Sequence, residues 1–328
     1  MNTIRHKYIF LGISGVLVAA SIAALALWGL RLGIDFTGGS LLEIEFADER
    51  PSAEEAEKAL TSLDLGNISI QPVGERGLIL RFRDVDESMH QEILSRIVKI
   101  QVPISNLQSP VIEKRFDAIG PTIGAELKRR AAVALGLALI AIVAYIAWAF
   151  RRVSKPGSNS SATSVIAAAG GSRRLLPDKP VASWKYGVAA IIALIHDVLI
   201  PTGVFSVFGR FRGVEADTLF ITALLTILGF SVHDTIVVFD RIRENLRNLK
   251  RPEQYADTVN RSINETMTRS ILTSFTVLIV LGAIFFLGGV STRYFALTLI
   301  LGIIFGTYSS IFIASPLLVI WNSLTKRQ

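Results

Sequence analysis

The chain has no cysteine among its 328 residues, and only 19% of its residues are charged. The missing cysteine excludes a disulfide framework and any thiolate metal site. The low charge accompanies a hydrophobic content of 51%. These hydrophobic residues are gathered in blocks rather than spread periodically, which is typical of a membrane protein.

Six apolar blocks each reach the roughly 20 residues that a helix needs to cross a hydrocarbon core about 30 Å thick. The blocks are Tyr8–Leu30, Ala131–Phe150, Trp184–Phe208, Thr218–Phe239, Ile271–Val290 and Phe295–Trp321. The first also resembles a secretory signal peptide, but it is longer than the roughly 7–15 residues of a signal core. We therefore predict six transmembrane helices, the first of them a retained anchor.

The net charge of +7 is concentrated at both ends of the chain and in the loops 151–183 and 240–269. The positive-inside rule places such segments in the cytoplasm. We therefore favour a basic cytoplasmic face, and both termini in the cytoplasm of a cell membrane, over binding to nucleic acid.

Residues 31–126, between the first two blocks, form the one long segment that could fold in water. The pattern predicts strands at Ser40–Phe46, Asn67–Val73, Gly77–Arg83 and Ile104–Phe116, and helices at Ser52–Leu63 and Asp86–Ile100. Ser52 followed by Glu55 is a capping-box signature. The order strand, helix, strand, strand, helix, strand is that of a split βαβ, ferredoxin-like domain. The predicted fold is thus a membrane bundle of six helices with one small α+β extracytoplasmic domain.

The chain divides by composition into eight predicted segments. They are an N-terminus and first helix (1–30), the α+β domain (31–126), a second helix (127–152), a flexible cytoplasmic insertion (153–183), a helix pair (184–239), an amphipathic cytoplasmic connection (240–269), a second helix pair (270–322) and a cytoplasmic tail (323–328). The connection could pack against the bundle or lie on the membrane surface. Small residues at 302, 306 and 310, and glycines at 12 and 15, predict close helix contacts.

Asp234 lies inside the fourth apolar block. A carboxylate at membrane depth costs at least about 2.5–3.5 kcal/mol, and such acids usually mark an ion or proton path. The fifth span returns antiparallel to the fourth, so Arg269 enters from the same side as a candidate counter-ion. Protonation of Asp234 would release the arginine, which makes the pair a two-state element. The alternative is a static buried salt bridge.

Two His-Asp pairs occur in the spans, His196 with Asp197 and His233 with Asp234. Histidine and aspartate both ligate divalent cations, but neighbours on a helix diverge by about 100°, so each pair is expected to turn one residue inward at most. We therefore predict no metal site, and an interior hydrogen-bonded or proton-handling role for these residues.

Six motifs together resemble the SecF family, the smaller subunits of the SecDF protein-export accessory complex and relatives of the resistance-nodulation-division transporters. In chain order the motifs are GIDFTGGSLLEIEF, FDAIGPTIGAELKRRA, ALIHDVLIPTG, SVHDTIVVFDRIREN, TRSILTSFTVL and FGTYSSIFIASPLL. They extend over nearly the whole chain.

The resemblance implies a subunit that partners SecD, associates with the SecYEG translocon and uses the proton-motive force to help unfolded preproteins leave the membrane. It implies that Asp234 and Arg269 form the proton relay and requires no cofactor beyond the proton gradient. His233 stands where many members have asparagine, so it could be a second titratable group. The family's DFTGG signature matches Asp35, Phe36, Thr37, Gly38 and Gly39.

Two other classes of function stay open. One is half of a proton-coupled small-solute exporter of the same superfamily, although a domain of under 100 residues leaves little room for a ligand cleft. The other is an assembly subunit without proton coupling. Enzymatic activity is not expected, because the spans show no nucleophile with an adjacent base besides the His-Asp pairs.

Overall fold

The computed structural model of the chain describes residues 2–101, 111–151, 183–247 and 253–325. Backbone contacts divide it into two compact units. The helical unit comprises Met1–Gly29, Leu135–Val207 and Leu219–Gln328, and the sheet unit comprises Leu30–Ala134 and Phe208–Thr218. The predicted insertion at 153–183 lies, apart from its last residue, outside the described residues.

Long apolar helices dominate the chain. They are α1 (Lys7–Trp28), α5 (Pro121–Arg151), α6 (Ser183–Arg212), α7 (Thr218–Arg247), α8 (Tyr255–Leu287), α9 (Val290–Ser309) and α10 (Ser315–Thr325), with a π-helical turn at Ser310–Ala314 between the last two. In the described ranges six helical segments are long and apolar enough to cross a membrane, with α9, the π-turn and α10 forming the sixth. The predicted number of spans is confirmed.

The spans differ in how much of their surface the protein itself covers. About half of the apolar window is buried in α6 (56%), α7 (50%) and the α9–α10 span (56%), but only 17% in α1 and in α8. The heavily buried helices form the interior of the bundle. Polar residues on their inner faces are therefore removed from both water and lipid.

Small residues bring α9 close to α7, as the sequence predicts. A methyl group on Gly302 would collide with the Ile227 side chain, and one on Gly306 would come within 3.2 Å of the Ser231 Cβ atom. The same prediction is wrong for α1, because nothing lies within 4 Å of a methyl group built on the glycines at positions 12 and 15. Those two glycines are not at a close contact in this chain.

The polar segment after Phe239 does not form separate surface helices. Instead, α7 continues to Arg247 and α8 already begins at Tyr255. Tyr255 and Val259 are buried in the same hydrophobic cluster as Phe239 and Ile242. Of the two alternatives for residues 240–269, the structure therefore has packing against the bundle.

The sheet unit contains one sheet and the helices on it. Its elements are α2 (Ile34–Thr37), β1 (Gly39–Phe46), α3 (Ala53–Leu60), β2 (Ser69–Val73), β3 (Gly77–Phe82), α4 (Glu87–Gln101) and β4 (Val111–Ile119). The strands are antiparallel in the order β2-β3-β1-β4. The start predicted for the last strand, at residue 104, lies outside the described residues.

The core of this unit follows from period-two alternation in β1, where Leu42, Ile44 and Phe46 are buried while the glutamates between them are partly exposed. Alternate residues of a strand face opposite sides, so one face meets the helices. At the start of α3 the capping box of Ser52 and Glu55 is complete, as predicted.

Candidate functional site

Asp234 lies on the buried face of α7 and is 8% exposed. Its Oδ1 accepts a hydrogen bond of 2.5 Å from the Ser270 hydroxyl of α8, and its Oδ2 accepts one from the Ser310 hydroxyl at the π-turn. A buried carboxyl group needs such donors, since an unpaired one would lose its hydration without replacement. Three helical segments therefore meet at this carboxylate.

The two predicted companions of Asp234 are near enough to act on it electrostatically, but neither is hydrogen-bonded to it. Arg269 is exposed on α8, and His233 is exposed on α7, turned about 100° from Asp234 around the helix. In the part of the chain that the structure describes, Arg269 forms no ion pair with Asp234; serine hydroxyls supply the contacts instead. Hydroxyl donors leave the acid free to be charged or neutral. A bound arginine would favour the charged form.

A second buried acid, Asp197, lies on α6 with an exposed fraction of 0%. Its Oδ2 accepts hydrogen bonds from the hydroxyls of Ser231 and Ser309, the latter at 2.6 Å. Its Oδ1 is 2.8 Å from Nδ1 of His196, which is 4% exposed. The expectation that one residue of each His-Asp pair turns inward holds for Asp234 and fails here. The inner helix α6 is surrounded over a wide arc, so two consecutive side chains are both covered.

Four serines complete these sites, and the reasoning from sequence did not select them as partners of the acids. They are Ser231, Ser270, Ser309 and Ser310. All four lie within motifs that carry the family resemblance, which was a signal available in the sequence. Across the described residues, no group of three or more side chains suited to a metal ion is present.

The DFTGG segment forms a third notable site, within the sheet unit. Gly38 and Gly39 have φ angles of +75° and +123°, conformations that side chains rarely adopt. A methyl group on Gly38 would lie 2.7 Å from the Cα atom of Pro121, and one on Gly39 would lie 2.7 Å from the Phe82 carbonyl oxygen. Glycine is thus required at both positions by backbone conformation and by space.

The first three residues of the signature have local roles. Phe36 is buried, and the Thr37 hydroxyl donates to the Gly33 carbonyl at 3.0 Å. Asp35 accepts two hydrogen bonds on Oδ2 from Thr218, at 2.8 Å from the backbone nitrogen and 2.6 Å from the hydroxyl. Asp35 therefore satisfies a free N–H group at the start of α7.

A charged cluster holds the 208–218 segment within the sheet unit. The Glu215 carboxylate lies 2.9 Å from Nε of Arg81 on β3 and 3.3 Å from Nε of Arg31. Burial raises the pKa of Glu215 above its ordinary value, although both arginines oppose this shift. Burial likewise lowers the pKa of Arg81, with Glu215 acting in the other direction.

Six apolar spans and two acids buried among them define the class of this chain, a multi-pass membrane protein with carboxylates inside its helix bundle. Residues 100–169 and 182–324 match the family described as protein export membrane protein SecD/SecF, C-terminal, and residues 29–48 match the SecD/SecF GG motif. The chain belongs to the SecF family of protein translocase subunits.

Individual relatives agree with this family assignment. The chain is 39% identical to a protein translocase subunit SecF of Thermobaculum terrenum, over 98% of this chain and 94% of that protein. It is 38% identical to the SecF subunit of Anaerolinea thermophila, with the same shares covered. These names support an accessory role in protein translocation.

Two solved structures are similar. One is SecDF from Thermus thermophilus, described as a translocon-associated membrane protein, with a TM-score of 0.76, 30% identity and 98% of this chain covered. The other is SecDF in a form described as super-membrane-facing, with a TM-score of 0.63, 30% identity and 100% coverage. This chain spans 39% of the length of each.

Proposed function

We propose that the protein works with a SecD subunit to assist the export of unfolded preproteins through the SecYEG translocon, driven by the proton-motive force. In this proposal Asp234 takes up and releases the transported proton. Arg269 approaches the carboxylate when Asp234 is ionised, and His233 could exchange protons at the exposed side of the same helix. The proton gradient is the energy source, and no bound cofactor takes part.

The observation that carries the proposal is the environment of Asp234, a buried carboxyl group held by hydroxyls from α8 and the π-turn. A hydroxyl can donate to a carboxylate or accept from a protonated carboxyl group, so both charge states can be hydrogen-bonded. Protonation turns one carboxyl oxygen from an acceptor into a donor, which changes the hydrogen bonds that join α7 to α8 and to the π-turn. Proton binding can in this way be converted into helix movement.

Several parts of the proposal concern the arrangement around the membrane. The basic segments at both ends and at 240–269 support cytoplasmic termini, which leaves the sheet unit outside the cytoplasm. The strand order β2-β3-β1-β4 supports a ferredoxin-like class for that unit. SecD as a partner is supported by the similarity to SecDF structures that are longer than this chain.

The experiment is Asp234→Asn, which keeps the shape of the side chain but cannot titrate. We expect the complex to assemble and to lose the part of preprotein export that a proton gradient stimulates in membrane vesicles. Export would be measured with and without an ionophore that collapses the gradient. The matched control is Asp240→Asn, the same change on the same helix at an exposed acid paired with Arg243, which should retain stimulation.

Full gradient-stimulated export in Asp234→Asn would instead favour an assembly subunit without proton coupling. A small-solute exporter would show transport of a solute without SecD or preprotein present. The names of the relatives favour protein export over that alternative.

A further inference from the structure

The second acid, Asp197, has the same kind of environment as Asp234 but no assigned role. It is fully buried, and hydroxyls from α7 and α9 donate to it. In the described part of the chain, the ion pairs of Asp197 include no lysine or arginine; its one potentially cationic partner is His196. A wholly buried carboxyl group with no fixed counter-charge is not held in its ionised form by a neighbouring cation.

Consecutive serines connect the two acids. Ser309 donates to Asp197, and Ser310, the next residue, donates to Asp234. Ser231, which donates to Asp197, lies one helical turn before Asp234 on α7. The π-turn begins at Ser310, and such single-turn π segments often occur at functional sites. Both α7 and the end of α9 therefore contribute to both carboxyl groups.

Ser309, the last residue of α9, and Ser310, the first residue of the π-turn, have alternative acceptors in the preceding turn of the chain. The Ser309 hydroxyl is 3.1 Å from the Gly306 carbonyl oxygen, and the Ser310 hydroxyl is 3.0 Å from that of Thr307. If a carboxylate gains a proton, its serine can donate to the helix carbonyl and accept from the new O–H group. The hydroxyls thus fit either charge state of each acid.

His196 adds a nitrogen that can carry a proton. Nδ1 contacts Asp197, while Nε2 is buried and has no hydrogen-bond partner within the described residues. The ring lies 6.1 Å from the ring of Tyr308, whose hydroxyl donates to the Phe10 carbonyl at 3.0 Å. Among the described residues, His196 is the titratable group that contacts Asp197; Tyr308 stacks on His196, and Asp234 lies beyond the serines. A buried ring nitrogen without a hydrogen-bond partner is costly, and such groups often belong to functional sites.

We propose that His196 and Asp197 form a second proton-binding site, in series with Asp234 through the adjacent Ser309 and Ser310. The proposal rests on the proton-driven function proposed above. The Asp197 carboxylate takes up one proton, becomes a neutral carboxyl group and later releases that proton. No other covalent bond changes, and the hydrogen bonds of Ser231 and Ser309 rearrange.

Infrared difference spectroscopy of the full chain with its SecD partner in lipid vesicles tests this proposal. The carboxyl C=O band appears when a buried acid gains a proton, so a pH titration of the unaltered protein should contain a component from each acid. Asp197→Asn should remove one component and Asp234→Asn the other. A titration of Asp197→Asn that superimposes on that of the unaltered protein would refute the second site.

A smaller change guards against a variant that fails to fold. Ser309→Ala removes one hydroxyl from Asp197, and it should change the proton affinity of the Asp197 component about tenfold while leaving the component in place. Ser323→Ala, an exposed serine bonded to its own helix, is the matched control and should change nothing. A static polar contact at Asp197 predicts that none of these proteins has a component that Asp197→Asn removes; the component of Asp234 is then the same in all of them.

Export measurements separate the two proposals. If Asp234→Asn keeps gradient-stimulated export, the proposed function fails whatever Asp197 does. If Asp234→Asn loses that stimulation while Asp197→Asn keeps both full export and the unaltered spectrum, only the second site is wrong. We expect both variants to lose most of the stimulation and to remain assembled.

Discussion

Replacing Gly38 with alanine should destabilise the sheet unit by an amount that the geometry allows us to work out. A left-handed φ of +75° costs a residue with a side chain about 1–2 kcal/mol. The new methyl group would lie 2.7 Å from the Cα atom and 3.0 Å from the nitrogen of Pro121. Backbone atoms cannot rotate away, and overpacking of this kind costs about 1–3 kcal/mol. The two effects together amount to roughly 2–5 kcal/mol.

The matched control is Gly74→Ala in the turn between β2 and β3. Gly74 has a φ of +60°, but nothing lies within 4 Å of a methyl group built there. Gly74→Ala should therefore lower the free energy of unfolding only by the cost of the left-handed backbone conformation, about 1–2 kcal/mol. Hydrogen exchange of the β1 amides measures the difference, since each 1.4 kcal/mol speeds exchange through opening about tenfold. The β1 amides of Gly38→Ala should exchange faster than those of Gly74→Ala by about fivefold or more.

A second pair of variants tests the steric contact without any strain from a left-handed backbone. Gly124 is helical, and a methyl group on it would lie 2.7 Å from the Gly38 nitrogen. Gly124→Ala should destabilise the unit, whereas Gly136→Ala on the same helix, with nothing within 4 Å, should be neutral or slightly stabilising. Equal exchange rates in Gly38→Ala and Gly74→Ala, or no effect of Gly124→Ala, would refute the argument that close approach requires these glycines.

Three further outcomes are expected. Because the pKa of Glu215 is raised, the folded protein keeps a proton on this side chain at pH values where the unfolded chain has lost it. The free energy of unfolding therefore falls as pH rises from the ordinary glutamate pKa through the raised one. Glu215→Gln should flatten this slope in a series of denaturation measurements at different pH. Gly302→Ala should cost about 1–3 kcal/mol through collision with Ile227, measured by thermal unfolding in detergent; an equal loss in Gly282→Ala, which has open space, would contradict this. Ser52→Ala should cost about 1 kcal/mol by removing the α3 cap, and unchanged amide exchange in α3 would count against it.

The parts of the structure that the sequence predicts well are those set by local patterns. Span length and the blocks of apolar residues predict the six spans, and the spacing of Ser52 and Glu55 predicts the start of α3. Asp234 could be selected because an acid in an apolar run is costly.

The partners of the buried acids could not be predicted in this way. Helical periodicity says which residues share a face, but not which residue of another helix lies opposite. Arginine was the expected partner of Asp234 because charge complementarity is visible in a sequence. The serines that the structure places there are common residues whose hydrogen bonds depend on packing. The burial of His196 beside Asp197 depends in the same way on how many neighbours surround α6.

The hydrogen bonds from Thr218 to Asp35 have a consequence for the order of events during synthesis. Donor and acceptor are 183 residues apart, so at about 5–20 residues per second the cap is made roughly 10–40 s before the helix end that it satisfies. The first signature residue can thus be in place in a folded sheet unit before α7, which carries Asp234, leaves the ribosome. The N–H group of Thr218 therefore meets an acceptor that was made long before it.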